Sequence, residues 1–136
     1  FLAEPLAEVP RVLLYSSAYF PKDVSDIMQF CREIFFLPED EYTACLEQTI
    51  YEIFLETGFT PHIEYAPNFI TIMDRVERGE GVFIYNKWCR QCNFPGFGSL
   101  LLSSTQPLYL FRRKTGCSTA GQEFLDRFLA DFGFQK

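Results

Sequence analysis

The chain has 136 residues, with 12 Lys and Arg against 18 Asp and Glu, for a formal net charge of −6. This length fits one compact domain or two small lobes, and 48% apolar and 18% aromatic content, including 16 Phe, excludes a disordered tail. The acidic balance argues against direct nucleic-acid binding, which needs clustered cations, and no apolar run approaches the ~20 residues of a bilayer span.

In chain order, residues 8–16 hold Val12-Leu13-Leu14-Tyr15 and read as a strand buried on both faces. Pro21 and Asp23 introduce a helix-like segment over 24–30. Residues 34–37 (Ile-Phe-Phe-Leu) form a second buried strand, stopped by Pro38. A polar loop over 39–43 precedes a helix whose stripe is Leu46, Ile50, Ile53 and Phe54, ended by Gly58. Residues 62–65 make a third strand. Pro67-Asn68 lead into a second helix, with Phe69, Ile72, Met73 and Val76 on one face and Gly79 as its stop. Residues 82–85 form a fourth strand. Strand, helix, strand, helix, strand over 34–85, with short turns, predicts an α/β fold with a parallel sheet.

Residues 87–99 are irregular, and 100–102 and 108–111 read as two strands separated by 103–107. A last helix starts near Ser118 or Thr119, where Thr119 and Gln122 fit a capping box, and ends at Gly133.

Few residues suggest chemistry. The sole histidine, His62, lies beside Glu64 on the polar side of a strand, and no set of ligands at metal spacing accompanies it. Cys89-Arg90-Gln91-Cys92 has redox-dithiol spacing, but Asn93, Phe94, Pro95 and Gly96 follow where such motifs continue as helix, so the pair reads as two thiols in a linker. Five cysteines (Cys31, Cys45, Cys89, Cys92, Cys117), an odd number with no signal-peptide pattern, suit reduced thiols in a cytoplasm. Glu39-Asp40-Glu41 stand where a helix begins, and its dipole explains them without acid–base work. Arg112-Arg113-Lys114 reads as a solvated strand edge. Gly79-Glu80-Gly81 follows a helix instead of opening one, unlike a phosphate loop. There is no nucleophile with its base, so no catalytic residue, cofactor or metal is expected. What stands out is geometric: in open parallel sheets ligands bind at the carboxyl ends of strands, where helix N-termini converge.

Phe35-Phe36-Leu37-Pro38, Glu56-Thr57-Gly58-Phe59-Thr60-Pro61, the strand 62–65 and Val76-Glu77-Arg78-Gly79-Glu80-Gly81-Val82 resemble the effector-binding domain of LysR-type transcriptional regulators. The similarity extends through Pro107-Leu108-Tyr109-Leu110 and the helix 118–132, and back to Glu4-Pro5-Leu6 and the strand 9–16. It implies a type 2 periplasmic-binding-protein-like fold: two α/β lobes joined by two crossover strands, with a small-molecule effector in the cleft. By that resemblance residues 21–94 form a complete, Rossmann-like second lobe, and 1–20 with 95–136 part of the first. The opening elements of the first lobe and the N-terminal winged helix-turn-helix have no counterpart here, so the chain resembles a truncated domain that meets DNA only through that missing part.

The resemblance carries over Glu41, Tyr42 and Thr43, Asn68 and Phe69, and Gly81, Val82 and Tyr85 as effector-binding candidates, all of which also suit helix capping or core packing. Cys45 falls near the reactive cysteine of peroxide-sensing relatives but lacks a resolving cysteine in its helix. Asn86 replaces a common Pro, and Tyr19-Phe20-Pro21 a His-Pro-Leu segment. An inward-facing acidic run over 39–41 would favour a neutral, aromatic or amine-bearing effector. The expected protein is a cytoplasmic regulator, not an enzyme, with no membrane contact. Uncovered apolar surface left by the shortened lobe predicts a dimer or higher homo-oligomer. A transporter's solute-binding protein of the same fold is the alternative.

Overall fold

The computed structural model describes residues 2–20, 23–39, 43–112 and 119–131. They belong to two compact units, one of residues 10–104 and one combining 1–9 with 105–136. Strands β1 (Leu2–Ser16) and β5 (Phe97–Arg112) contribute residues to both.

The unit 10–104 also contains β2 (Ile34–Pro38), α1 (Thr43–Thr57), β3 (His62–Ala66), α2 (Phe69–Glu77) and β4 (Phe83–Asn86). β2 and β3 pair in parallel, from Ile34 opposite His62 to Pro38 opposite Ala66. Val82, just before β4, bridges Phe35 in parallel, with its N–H donating to the Ile34 oxygen at 2.8 Å and its oxygen accepting from the Phe36 N–H at 3.0 Å. The parallel order expected over 34–85 is therefore present. β4 then pairs antiparallel with β1, Leu14 opposite Phe83 and Arg11 opposite Asn86, which makes the whole arrangement mixed.

Alternation along these strands builds two cores. Leu13, Phe35, Leu37, Val82 and Ile84 pack with Ile50, Ile53 and Phe54 of α1. Their neighbours Val12, Leu14, Phe36 and Phe83 pack with Ile72, Met73 and Val76 of α2. A strand covered by helices on both faces has no polar side, which is why these segments read as continuous apolar runs. Each fully buried side chain contributes about 1.5–3 kcal/mol. Both helices stop where predicted: Gly58 (φ 82°) and Gly79 (φ 78°) take the left-handed conformation that glycine adopts without a Cβ clash. On the α2 side, Arg75 ties three elements together, pairing with Glu64 of β3 at 2.8 Å and Glu80 at 3.3 Å while its guanidinium sits 4.6 Å over the Phe36 ring.

Two expectations change. The helix expected over 24–30 is a single 3-10 turn, Ile27–Phe30, closed by a capping box in which Asp26 accepts from the Met28 N–H and Gln29 from the Asp26 N–H. Asp26 is extended (φ −141°, ψ 137°) as the cap, so the turn starts at Ile27 and excludes 24–26. The two strands expected at 100–102 and 108–111 are one, β5. It lies at the edge of the order β4-β1-β5, where Pro107 is tolerated because, among the described residues, one side of the strand has no ladder partner. Glu39, the described residue of the acidic run, precedes α1, exposed, and its N–H donates to the Ala66 oxygen at 2.9 Å. Asp40 and Glu41 lie outside the described residues.

In the second unit, Leu6 and Val9 of β1 are buried. Helix α3 (Thr119–Asp131) already includes Thr119, so Thr119 is not its N-cap, and the Gln122 amide donates to Asp126 at 3.0 Å. Ser118, Arg113, Lys114, Cys117 and Gly133 lie outside the described residues.

Candidate functional site

Parallel pairing sets Pro38, Ala66 and, through Val82, the end of β4 at one end of the sheet. Both helices start at this end, α1 at Thr43 and α2 at Phe69. Thr43 is half-buried and its Oγ1 donates to the Pro38 oxygen, closing the turn between β2 and α1. Asn68 is the N-cap of α2: in extended conformation, its Oδ1 accepts from the Thr71 N–H at 2.9 Å. The backbone N–H groups of the first helical turn have no partner inside the helix, and Asn68 satisfies only that of Thr71, so the N–H groups of Phe69 and Ile70 face the sheet end without an intrahelical acceptor.

Aromatic rings gather beside that turn. Phe69 lies 5.1 Å from Tyr85 and 6.0 Å from Phe83, and Phe83 and Tyr85 stack at 5.5 Å. Phe83 is buried while Phe69 and Tyr85 are only partly so, which leaves ring surface at the mouth of the core.

The eight sequence candidates thus separate. Thr43, Asn68, Phe69 and Tyr85 come together at the carboxyl ends. Gly81 and Val82 do not. Val82 pairs with Phe35 near the start of β2, so Gly81 stands about 13 Å below Tyr85 at 3.3 Å per residue. Val82 is fully buried, and a Cβ on Gly81 would lie 2.5 Å from the Phe36 ring and 2.6 Å from the Ile34 oxygen. These two serve strand packing at the amino end of the sheet. Glu41 and Tyr42 lie outside the described residues.

Arg11 was not singled out from the sequence. It pairs with Asn86, at the same end of the sheet, and its Nη1 donates to Ser104 Oγ of β5 at 2.8 Å. Only the antiparallel return of β1, a long-range pairing with no local signal, brings it there. A shallow cavity of about 190 Å³ between the 3-10 turn, the end of α1 and β5 is lined by Ser25, Asp26, Ile53, Thr57 and Leu100 among others, and by none of the sequence candidates.

His62 is exposed on β3, and among the described residues no three His, Cys, Asp or Glu are grouped to hold a metal. No described helix is long and apolar enough to cross a membrane. The side chain of Cys45 lies outside the described residues.

No family model matches the chain, and no curated protein matches it. Solved structures are similar throughout. CbnR, a LysR family transcriptional regulator, superposes with a TM-score of 0.75 at 12% identity, covering 98% of this chain and 48% of that one. The regulatory domain of Synechocystis PCC6803 CcmR, in complex with 2-PG, gives 0.73 at 14% identity, covering 96% of this chain and 66% of its own. The BenM effector-binding domain with its effector benzoate gives 0.72 at 16% identity, covering 99% and 66%. The chain spans about half the length of the full regulator and about two thirds of the isolated domains. It has the periplasmic-binding-protein-like fold of the effector-binding domains of LysR-family transcriptional regulators.

Proposed function

We propose that this chain is the ligand-sensing part of a cytoplasmic LysR-type transcriptional regulator, without catalytic activity of its own. Residues 21–94 are assigned to the complete second lobe, and 1–20 with 95–136 to the first. DNA is contacted through a winged helix-turn-helix outside these residues, and the effector biases that contact by favouring one domain geometry over another. The observation that carries the reading is the convergence of Thr43, Asn68, Phe69 and Tyr85 at the carboxyl ends of the strands, within a fold whose solved examples hold benzoate and 2-PG.

The half-buried rings of Phe69 and Tyr85 suit a planar or cyclic effector. The open N–H groups of α2 at the same sheet end favour a carboxylate on it. This differs from the neutral, aromatic or amine-bearing effector expected if the acidic run faced inward; of that run only Glu39 is among the described residues, exposed and bound to β3 through its N–H. Calorimetric titration with benzoate, shikimate, 2-PG and amine analogues of the same rings tests the assignment. Binding of an acid is expected, weakened up to about tenfold by Tyr85→Ala, the scale of one lost ring contact. Binding of the amines alone overturns it.

Homo-oligomers of two or more copies are also proposed. Tyr109, Phe111 and Phe124 of the second unit are large apolar side chains standing exposed, the type of surface that association covers. A monomer by light scattering at high concentration contradicts this.

A further inference from the structure

The connection from β4 to β5 carries a feature that effector sensing does not use. After Trp88 the chain makes one 3-10 turn, Arg90–Asn93, with Cys89 as its N-cap residue. The Cys92 N–H donates to the Cys89 oxygen at 3.3 Å. Spacing of i to i+3 on such a turn brings side chains into line, and the two Sγ atoms are 3.4 Å apart. A turn of this type holds its first and last Cα within about 7 Å, the range in which a disulfide closes. Both thiols are free and half-buried, and both pack against the apolar cluster of Phe36, Met73, Val76 and Phe83. The break after Cys92 that argued against a redox helix leaves this geometry intact, because one turn is enough to align the pair.

We propose that Cys89 and Cys92 form a reversible intramolecular disulfide by exchange with a small dialkyl disulfide of the glutathione type. Cys89, as thiolate, attacks one sulfur of the small disulfide; its S–S bond breaks and one thiolate leaves. Cys92 then gives up its proton, and its sulfur attacks the Cys89 sulfur of the mixed disulfide, expelling the second small thiol. The protein loses two protons and two electrons, and the small disulfide takes up both to become two thiols. Burial, and then the contact with Cys89, push the Cys92 thiol up to about 11, against a weaker opposing pull from Lys87. Cys92 is therefore the closing thiol, whose short reach compensates for a low thiolate fraction. The bridge staples a segment that is already bound to the end of β1, where the Ser17 N–H donates to the Gly96 oxygen and Ser17 Oγ to the Pro95 oxygen.

The full chain is equilibrated in glutathione buffers of rising disulfide fraction, the remaining thiols are alkylated, and the digest is read by mass spectrometry. The expected product is a peptide cross-linked between Cys89 and Cys92, reversed by dithiothreitol. Trp88, the chain's one tryptophan, adjoins Cys89, and its emission should fall in step with the cross-link. Cys92→Ser should stop the reaction at a glutathione adduct on Cys89, and Cys89→Ser should abolish the cross-link. A variant with Cys31, Cys45 and Cys117 all changed to Ser should retain it. Complete alkylation of both cysteines in buffers that fully oxidise a thioredoxin control, or bridging of either one to another cysteine, overturns the proposal.

Discussion

Gly81 and Gly58 show how one residue type does two jobs in this chain. Gly58 takes a positive φ with nothing within 4 Å of a built Cβ. Gly81 has no conformational demand of that kind; it is required by space, because the Ile34 oxygen and the Phe36 ring leave no volume for a methyl group. Backbone cannot yield as a long side chain can. Gly81→Ala is therefore expected to lower stability by about 2–3 kcal/mol, at the upper end of core overpacking. Gly58→Ala should cost about 1 kcal/mol, from left-handed strain alone. Urea unfolding of both variants measures the difference, and equal effects would mean the sheet gives way at Ile34. The same pair explains a limit on reading sequence. A helix-stopping glycine announces itself by following an apolar stripe, as Gly58 and Gly79 do. A glycine kept for close strand approach looks like a ligand-binding glycine until the opposite strand is known.

Legibility at the level of elements follows from where the partner lies. α1, α2 and the strands between them were readable because each carries a periodic pattern that its own burial demands. β5 was not, since its continuity across 103–107 depends on lying beside β1, more than eighty residues away in sequence. The placement of Arg11 was hidden for the same reason. Capping sits between these cases, being local in chemistry and decisive for one helix. Asn68 satisfies an N–H of α2 at the point where its ring-bearing neighbour Phe69 enters the aromatic cluster. Asn68→Ala should cost about 1 kcal/mol in thermal or chemical unfolding. Asn68→Asp should recover most of it, because a carboxylate caps as well and is favoured by the positive end of the helix. Effector affinity separates capping from direct contact in the neutral cap Asn68→Ser: a residue that only caps leaves affinity near wild type there, whereas a side-chain amide that donates to the ligand's carboxylate loses it.

For the whole molecule, the two cores and four of the candidate site residues fall within one continuous stretch. Leu13, Phe35, Phe36, Val82 and Phe83 are fully or almost fully buried within residues 10–104, and Thr43, Asn68, Phe69 and Tyr85 stand on the same elements. A unit that buries its strands on both faces with its own helices needs no further layer to hide apolar surface. A polypeptide of residues 10–104 is accordingly expected to fold without the rest. It should unfold in one cooperative transition, with a urea m-value of about 1 kcal/mol per M, the low end for a small domain. Amide exchange should be slowest at Phe36 and Val82, whose N–H groups close the β2 bridge. A broad, non-cooperative transition would instead mean that the halves of β1 and β5 beyond residues 10 and 104 contribute to the stability of these cores. The candidate site would then be a property of the entire chain, and its affinity would fall in the shorter polypeptide even with Phe69 and Tyr85 intact.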